Sequence, residues 1–151
     1  MRIRSRGPLA TRRPVPGQRD ALVPGFGDAA MHDQPLTITG TGDETRDFIY
    51  VDDVVQANLL AAESPDAPGK VFNIALGRSV SLNRLLATLA DLIGTGVQPI
   101  YHPARVGDVR HSAADISAAA GALGFEILVP FELGLARTVA AMAPAALVGA
   151  A

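Results

Sequence analysis

The sequence predicts an α/β fold, on two observations. Short runs rich in β-branched residues alternate with segments whose apolar residues recur at helical spacing. The balance of 48% hydrophobic to 19% charged residues is that of a globular chain, not a disordered one. At 151 residues the chain fits one domain and can bury roughly 70% of its unfolded surface.

Six of the twelve arginines fall within the first 19 positions, and no acid precedes Asp20. Pro8, Pro14 and Pro16 interrupt any periodicity, so residues 1–17 are expected to form an irregular or disordered leader. The prolines also break the amphipathic helix a mitochondrial transit peptide would need, and no hydrophobic stretch follows Arg12-Arg13 to make an export signal. Ala21 to Asp33 predicts a weak helix with Phe26, Ala29 and Ala30 on one face, destabilised by about 1 kcal/mol each at Gly25 and Gly27. Leu36-Thr37-Ile38-Thr39 alternates and predicts a strand ended by Gly40. Phe48 to Val51 predicts a second strand, after which Asp52 or Asp53 can cap a helix with Val54, Val55, Leu59 and Ala62 on one side. Ser64 to Gly69 is a turn-rich break, and Val71-Phe72-Asn73-Ile74 a short buried strand. Ser81 is the expected N-cap of the clearest helix, in which Leu82, Leu85, Leu86, Leu89, Leu92 and Ile93 keep helical spacing and Gly94 closes the end. Val97 to Tyr101 predicts a strand, and Pro103 to Asp108 a loop. Asp115 is the expected cap of a helix from about Ile116 to Leu123, closed by Gly124. A last helix from about Glu132 to Met142 places Leu133, Ala136, Val139 and Ala140 on one face. Residues 143–151 are an Ala-rich tail, and 18–142 form the folded body.

Composition excludes several functions. A net charge of −2 and a pI near 5.8 give no electrostatic case for nucleic acid. Without cysteine there is no disulfide framework, thiolate metal site or cysteine nucleophile. No apolar run approaches the roughly 20 residues of a membrane-spanning helix, so no membrane partner is expected and a cytoplasmic location is.

Motifs narrow the chemistry further. Gly40-Thr41-Gly42 follows a strand, but a dinucleotide fingerprint needs a third glycine and a helix N-terminus after it, whereas position 45 is Thr and a strand is expected next. A tight turn is the better assignment. The lone lysine, Lys70, has Asp66 four residues before it, so there is no Tyr-x-x-x-Lys pair. His32, His102 and His111 have neither triad partners nor metal-ligand spacing. Asp43, Glu44, Asp47, Asp52 and Asp53 lack the pattern of a calcium loop and are expected to be solvated turn and helix-cap groups. Arg46, at the start of an apolar strand, and Arg105, in the loop Arg105-Val106-Gly107-Asp108, are suited to a diphosphate, because a guanidinium grips phosphate oxygens through paired hydrogen bonds. A carboxylate nearby can accept from ribose hydroxyls.

The run from Pro35 to Val54, with its Arg46-Asp47-Phe48-Ile49-Tyr50-Val51-Asp52-Asp53 core, resembles the corresponding stretch of the extended short-chain dehydrogenases, the nucleotide-sugar epimerases and dehydratases. Val71-Phe72-Asn73-Ile74, Ser81-Leu82, Arg105 to Asp115, Leu123-Gly124-Phe125 and Gly134 to Val139 continue the resemblance in order, over roughly Pro16 to Met142. It implies that Arg46 and Arg105 bind a nucleotide diphosphate, that Asp108 meets the ribose, and that Thr39 lies near the base. The family commonly has an aromatic residue at the position of Thr39, which weakens that contact here. Gly25 and the Ala75-Leu76-Gly77 turn also depart from its pattern.

The family binds NAD through an N-terminal GxxGxxG and reacts through Tyr-x-x-x-Lys, and neither occurs in these 151 residues. The resemblance thus implies a partial extended short-chain dehydrogenase fold: the substrate-binding C-terminal portion, without the N-terminal Rossmann half. On this expectation the chain binds no cofactor and has no catalytic residue of its own. It is a substrate-side fragment, inactive alone, of an epimerase or dehydratase acting on a nucleotide sugar, a UDP-sugar first. The alternatives are a stand-alone nucleotide-sugar-binding or interaction module that docks on a separate cofactor domain, and a decayed product. The helix around Val54 and the strand around Phe72 would pack on the absent half, leaving an unpaired edge and exposed apolar area, with marginal stability or association as the consequence.

Overall fold

The computed structural model describes residues 2–5, 36–94, 96, 98–104 and 106–142. Among them the order is β1 (Arg2–Ser5), β2 (Leu36–Thr39), β3 (Thr45–Arg46), α1 (Val51–Glu63), β4 (Val71–Ile74), β5 (Val80–Ser81), α2 (Leu82–Ile93), β6 (Pro99–His102), α3 (Ser117–Leu123) and α4 (Phe131–Met142). The predicted α/β class is therefore correct. The strands pair two by two. β1 runs parallel to β4 with Arg2 opposite Val71, and β2 parallel to β6 with Thr39 opposite His102. β3 is antiparallel to β5 with Arg46 opposite Val80.

Two apolar clusters hold these pieces together. The first joins Leu36 and Ile38 of β2 to Leu85 and Leu89 of α2, to Phe131 and Leu135 of α4, and to Phe48. The second joins Phe72 and Ile74 of β4 to Ala57 and Ala61 of α1, to Ala119 and Leu123 of α3, and to Ile49 and Phe125. α2 forms where its leucine stripe predicts. Ser81 Oγ accepts from the Arg84 N–H at 3.1 Å, and Gly94 closes the helix in the left-handed conformation with φ 74°. At α3 the N-cap is Ile116 without a side-chain bond, not the expected Asp115, whose Oδ1 accepts from the Ser117 N–H at 2.9 Å one residue ahead of the cap; Gly124 again ends the helix. The Ser117 N–H, then its hydroxyl, holds the Asp115 carboxyl below its ordinary range.

Several expectations are corrected. Residues 2–5 are not an irregular leader but a strand on the edge of β4. Its partner lies nearly 70 positions away, so local composition carries no trace of the pairing. β4 consequently has a neighbour on one edge, and among the described residues no strand lies on the other. The remainder of the leader, the helix expected over Ala21 to Asp33, and the tail 143–151 lie outside the described residues. The strand expected over Phe48 to Val51 is instead β3 at Thr45–Arg46, and Val51 already belongs to α1. Phe48 and Ile49 are both buried because the chain crosses there from the first cluster to the second, and that burial imitates an inner strand.

Neither Asp52 nor Asp53 caps α1, whose N-cap is Tyr50 without a side-chain bond. The packed face of α1 is Asp53, Ala57 and Ala61, while Val55 and Leu59 stand 52% and 62% exposed. Small side chains at four-residue spacing let α1 sit close on its neighbours, with Val54 and Leu60 packed at the margin and Val55 and Leu59 turned outward. In α4 the buried residues are Phe131, Gly134, Leu135 and Thr138, not the expected stripe through Leu133 and Ala140. A Cβ on Gly134 would stand 3.0 Å from Tyr50, which explains the glycine at this crossing. Arg137 reaches from α4 over the Tyr50 ring, 5.7 Å from its centroid, and to Asp52 at 3.4 Å.

Candidate functional site

Of the expected binding residues, Thr39 ends β2, Arg46 ends β3, and Asp108 lies on the arm that returns from β6. Arg105 lies outside the described residues. β3 is held on both sides, by β5 and by the arm, since the Thr45 N–H donates to Arg110 O at 2.8 Å and the Ser112 N–H to Thr45 O at 3.1 Å. The Thr45 hydroxyl and His111 Nδ1 share a hydrogen bond of 3.2 Å. The half-buried Arg46 leaves β3 at this junction. Its Nη1 donates to Thr45 O at 2.8 Å and to Arg110 O at 3.3 Å. A guanidinium carries five N–H donors, so Nε and Nη2 keep three that have no partner among the described residues.

The arm starts at His102, which Thr39 faces across the β2–β6 ladder and whose carbonyl accepts from the Gly40 N–H at 2.9 Å. It carries the exposed Asp108 outward and returns to Arg110. Thr39 therefore stands at the root of the arm, opposite His102, and Arg46 at its return, on Arg110, with Asp108 between these two points of the arm.

Glu44 shapes the turn ahead of Arg46. Its carboxylate, only 8% exposed, accepts from the Thr41 and Gly42 N–H groups at 3.2 and 2.9 Å. A Cβ on Gly40 would collide with that carboxylate, and one on Gly42 with the Asn83 amide. Its own backbone N–H, then those of Thr41 and Gly42 and the charge of Arg110, outweigh burial and hold the Glu44 carboxyl below its ordinary range. Asn83 ties this turn to β6, accepting from the Tyr101 hydroxyl at 2.9 Å.

The solvated role expected of the acids holds for the exposed Asp43 and Asp52 and is corrected for the other three. Glu44, Asp47 and Asp53 are buried, and each takes backbone N–H groups in place of water. Glu44 stands among polar residues and carries no signal of this in the sequence, whereas for Asp47 and Asp53 the signal available was their setting beside apolar runs. For Asp53 it was also the four-residue stripe with Ala57 and Ala61. His102 and His111 belong to no metal-binding cluster among the described residues, and no described helix is long and apolar enough to cross a membrane.

Residues 7–75 match the family model described as NAD dependent epimerase/dehydratase family. The UDP-glucose 4-epimerase of Mycolicibacterium smegmatis is 35% identical over 127 residues, covering 84% of this chain and 40% of that protein. The structure of a Thermotoga maritima UDP-glucose 4-epimerase with UDP-glucose superposes with a TM-score of 0.81 at 38% identity, over 93% of this chain and 44% of that one. A UDP-glucuronic acid 4-epimerase from Bacillus cereus, in complex with UDP-glucuronic acid and NAD, gives 0.80 at 25% identity, over 93% and 45%.

The chain belongs to the NAD dependent epimerase/dehydratase family. It spans about two fifths of the length of the relatives it matches. In this epimerase/dehydratase chain the Gly40-Thr41-Gly42 turn is unsuited to a dinucleotide pyrophosphate. The Thr41 and Gly42 N–H groups are already bonded to an anionic carboxylate, and β3 follows instead of a helix N-terminus. No chemical step through NAD is therefore assigned to the described residues.

Proposed function

We propose that this chain is the nucleotide-sugar-binding portion of an NAD-dependent 4-epimerase, with a UDP-sugar as its ligand. We further propose that turnover needs a cofactor-binding portion bearing GxxGxxG and Tyr-x-x-x-Lys. The observation that carries this reading is Arg46. Two main-chain carbonyls hold one edge of its guanidinium, leaving the other donors for an anion beside the arm of Arg105 and Asp108. A side chain already fixed in place loses little freedom on binding a diphosphate, and the paired geometry suits phosphate oxygens. Arg105 is proposed as the second diphosphate ligand, Asp108 as the ribose acceptor and Thr39 as a neighbour of the base. The solved relatives were captured with UDP-glucose and UDP-glucuronic acid, which supports the nucleotide assignment.

Calorimetric titration of the chain with UDP and with uridine tests it. Binding of UDP that exceeds uridine and falls about ten-fold in Arg46→Ala is expected. Equal affinity for both ligands would remove the diphosphate role.

One observation favours a second reading, docking on a separate cofactor-binding chain. Val55 and Leu59 are exposed on α1, and Val71 on β4, which has no strand on one edge among the described residues. Co-elution with a separately produced cofactor-binding portion, with recovery of epimerase activity, would support it. Independent elution of the two would contradict it.

A further inference from the structure

We propose that Asp47 is the positioning residue of the anion site, a buried clamp that fixes Arg46 and the arm carrying Asp108 in one arrangement. The inference rests on the proposed function and assigns a role to a residue that never touches the ligand. Arg46 and Asp47 are consecutive in an extended segment, so their side chains leave on opposite sides. Arg46 emerges at the rim and Asp47 turns inward, to 8% exposure.

The Asp47 carboxylate gathers two segments far apart in sequence. Its Oδ1 accepts from the Leu76 N–H at 2.7 Å, and its Oδ2 from the Gly77 N–H at 3.1 Å and the Ala114 N–H at 3.3 Å. Leu76 and Gly77 form the bend after β4, with Gly77 at φ 74°. Ala114 lies two residues beyond Ser112, where the arm leaves β3. The same arm is thus gripped twice by neighbouring residues, at Arg110 O by the Arg46 guanidinium and at Ala114 N by the Asp47 carboxylate. Most of the arm from Tyr101 to Ala113 is exposed and contributes nothing to either apolar cluster. These polar contacts hold its path, together with the β6 pairing, the Thr45 bonds, the Tyr101 hydroxyl on Asn83 and the Ser79 hydroxyl, which donates to Ser112 O at 3.4 Å.

The consequence is specific. Three donors converge on a carboxylate with acceptor capacity on both oxygens, and an amide cannot replace it, because its NH2 group faces an N–H. Asp47→Asn keeps the volume and forfeits Leu76 or the Gly77–Ala114 pair.

The test is UDP titration of the full chain and of Asp47→Asn, Arg46→Ala and the double variant, together with amide NMR of each. Asp47→Asn should lose UDP affinity about ten-fold, and the amides of 110–114 should shift and gain mobility while those of α2 stay in place. In the double variant the loss should be less than the product of the single losses, because both residues act through one guanidinium. A role limited to general stability predicts independent, multiplicative losses. Gly77→Ala strains the left-handed bend and disturbs one donor while leaving the carboxylate intact. It should lower UDP affinity in the same direction by a smaller factor, and it supplies the readout if Asp47→Asn does not fold. Wild-type-like UDP binding by Asp47→Asn would overturn the clamp and leave the proposed function standing. Failure of the unsubstituted chain to bind UDP would overturn both.

Discussion

Removal of the Asp53 carboxylate should be among the costliest changes in this chain. Asp53 is fully buried in the first turn of α1, where its Oδ1 accepts from the Leu128 N–H at 3.0 Å and its Oδ2 from the Val129 N–H at 3.4 Å. It fastens α1 to the segment that leads into α4. In Asp53→Ala both N–H groups lose their acceptor. Leu128 is 61% exposed, so water can reach its amide and the cost there is at the low end. Val129 is 6% exposed, and its amide is stranded, although its bond is long. Stranding a buried donor costs about 1–3 kcal/mol, so the pair amounts to about 2–3 kcal/mol, since the alanine also ends the burial of a charge. For an m value of roughly 1.5 kcal/mol/M, the urea midpoint followed by far-ultraviolet circular dichroism falls by about 1–2 M. The Val129 amide should exchange its hydrogen faster in the same variant. A midpoint shift below about 0.3 M with the Val129 amide still protected would refute the assignment, because the segment would then be held by something other than this carboxylate.

Two further substitutions follow from the same structure. Leu85 is fully buried at the meeting of α2 with β2 and α4, so Leu85→Ala costs about 3–4 kcal/mol in urea unfolding, whereas Leu92→Ala on the exposed side costs about 0.5 or less. Glu44 titrates below its ordinary range in the folded chain because it accepts backbone N–H groups. A carboxyl lowered on folding stabilises fully above its unfolded value, and that share is lost as pH falls through the folded one. The urea midpoint should therefore drop on acidification from about pH 5 downward. Glu44→Gln should flatten that slope, and an unchanged slope would contradict the role given to Glu44.

Elements with a long periodic pattern were legible in the sequence, and those built from non-local contacts were not. α2 carries its cap, its leucine stripe and its terminal glycine within 14 residues, and it forms where they say. β2 and β4 show the alternation or apolar content of strands and were likewise recognisable. A two-residue strand such as β3 has no periodicity to read, and the partner of β1 is too distant to influence local composition. The face of α1 was misread because hydropathy favours Val55 and Leu59 over alanines. The close approach of α1 to its neighbours instead requires Ala57 and Ala61, and Asp53 earns its burial only from two N–H groups 75 and 76 positions away. The site shows the same division. Arg46 and Asp108 were visible as residue types in a motif. That Arg46 is braced on Arg110 O, and that Asp47 clamps the arm from beneath, depends on contacts 64 and 67 positions apart in sequence.

The most direct test of the central claim is a two-dimensional amide spectrum of the full chain recorded with and without UDP. The account predicts dispersed peaks, UDP-dependent shifts concentrated at Thr39, at Thr45 and Arg46, and along 106–112, and loss of those shifts in Arg46→Ala. A dispersed spectrum that UDP leaves unchanged, or shifts at the far side of α3 in place of the arm, would contradict it.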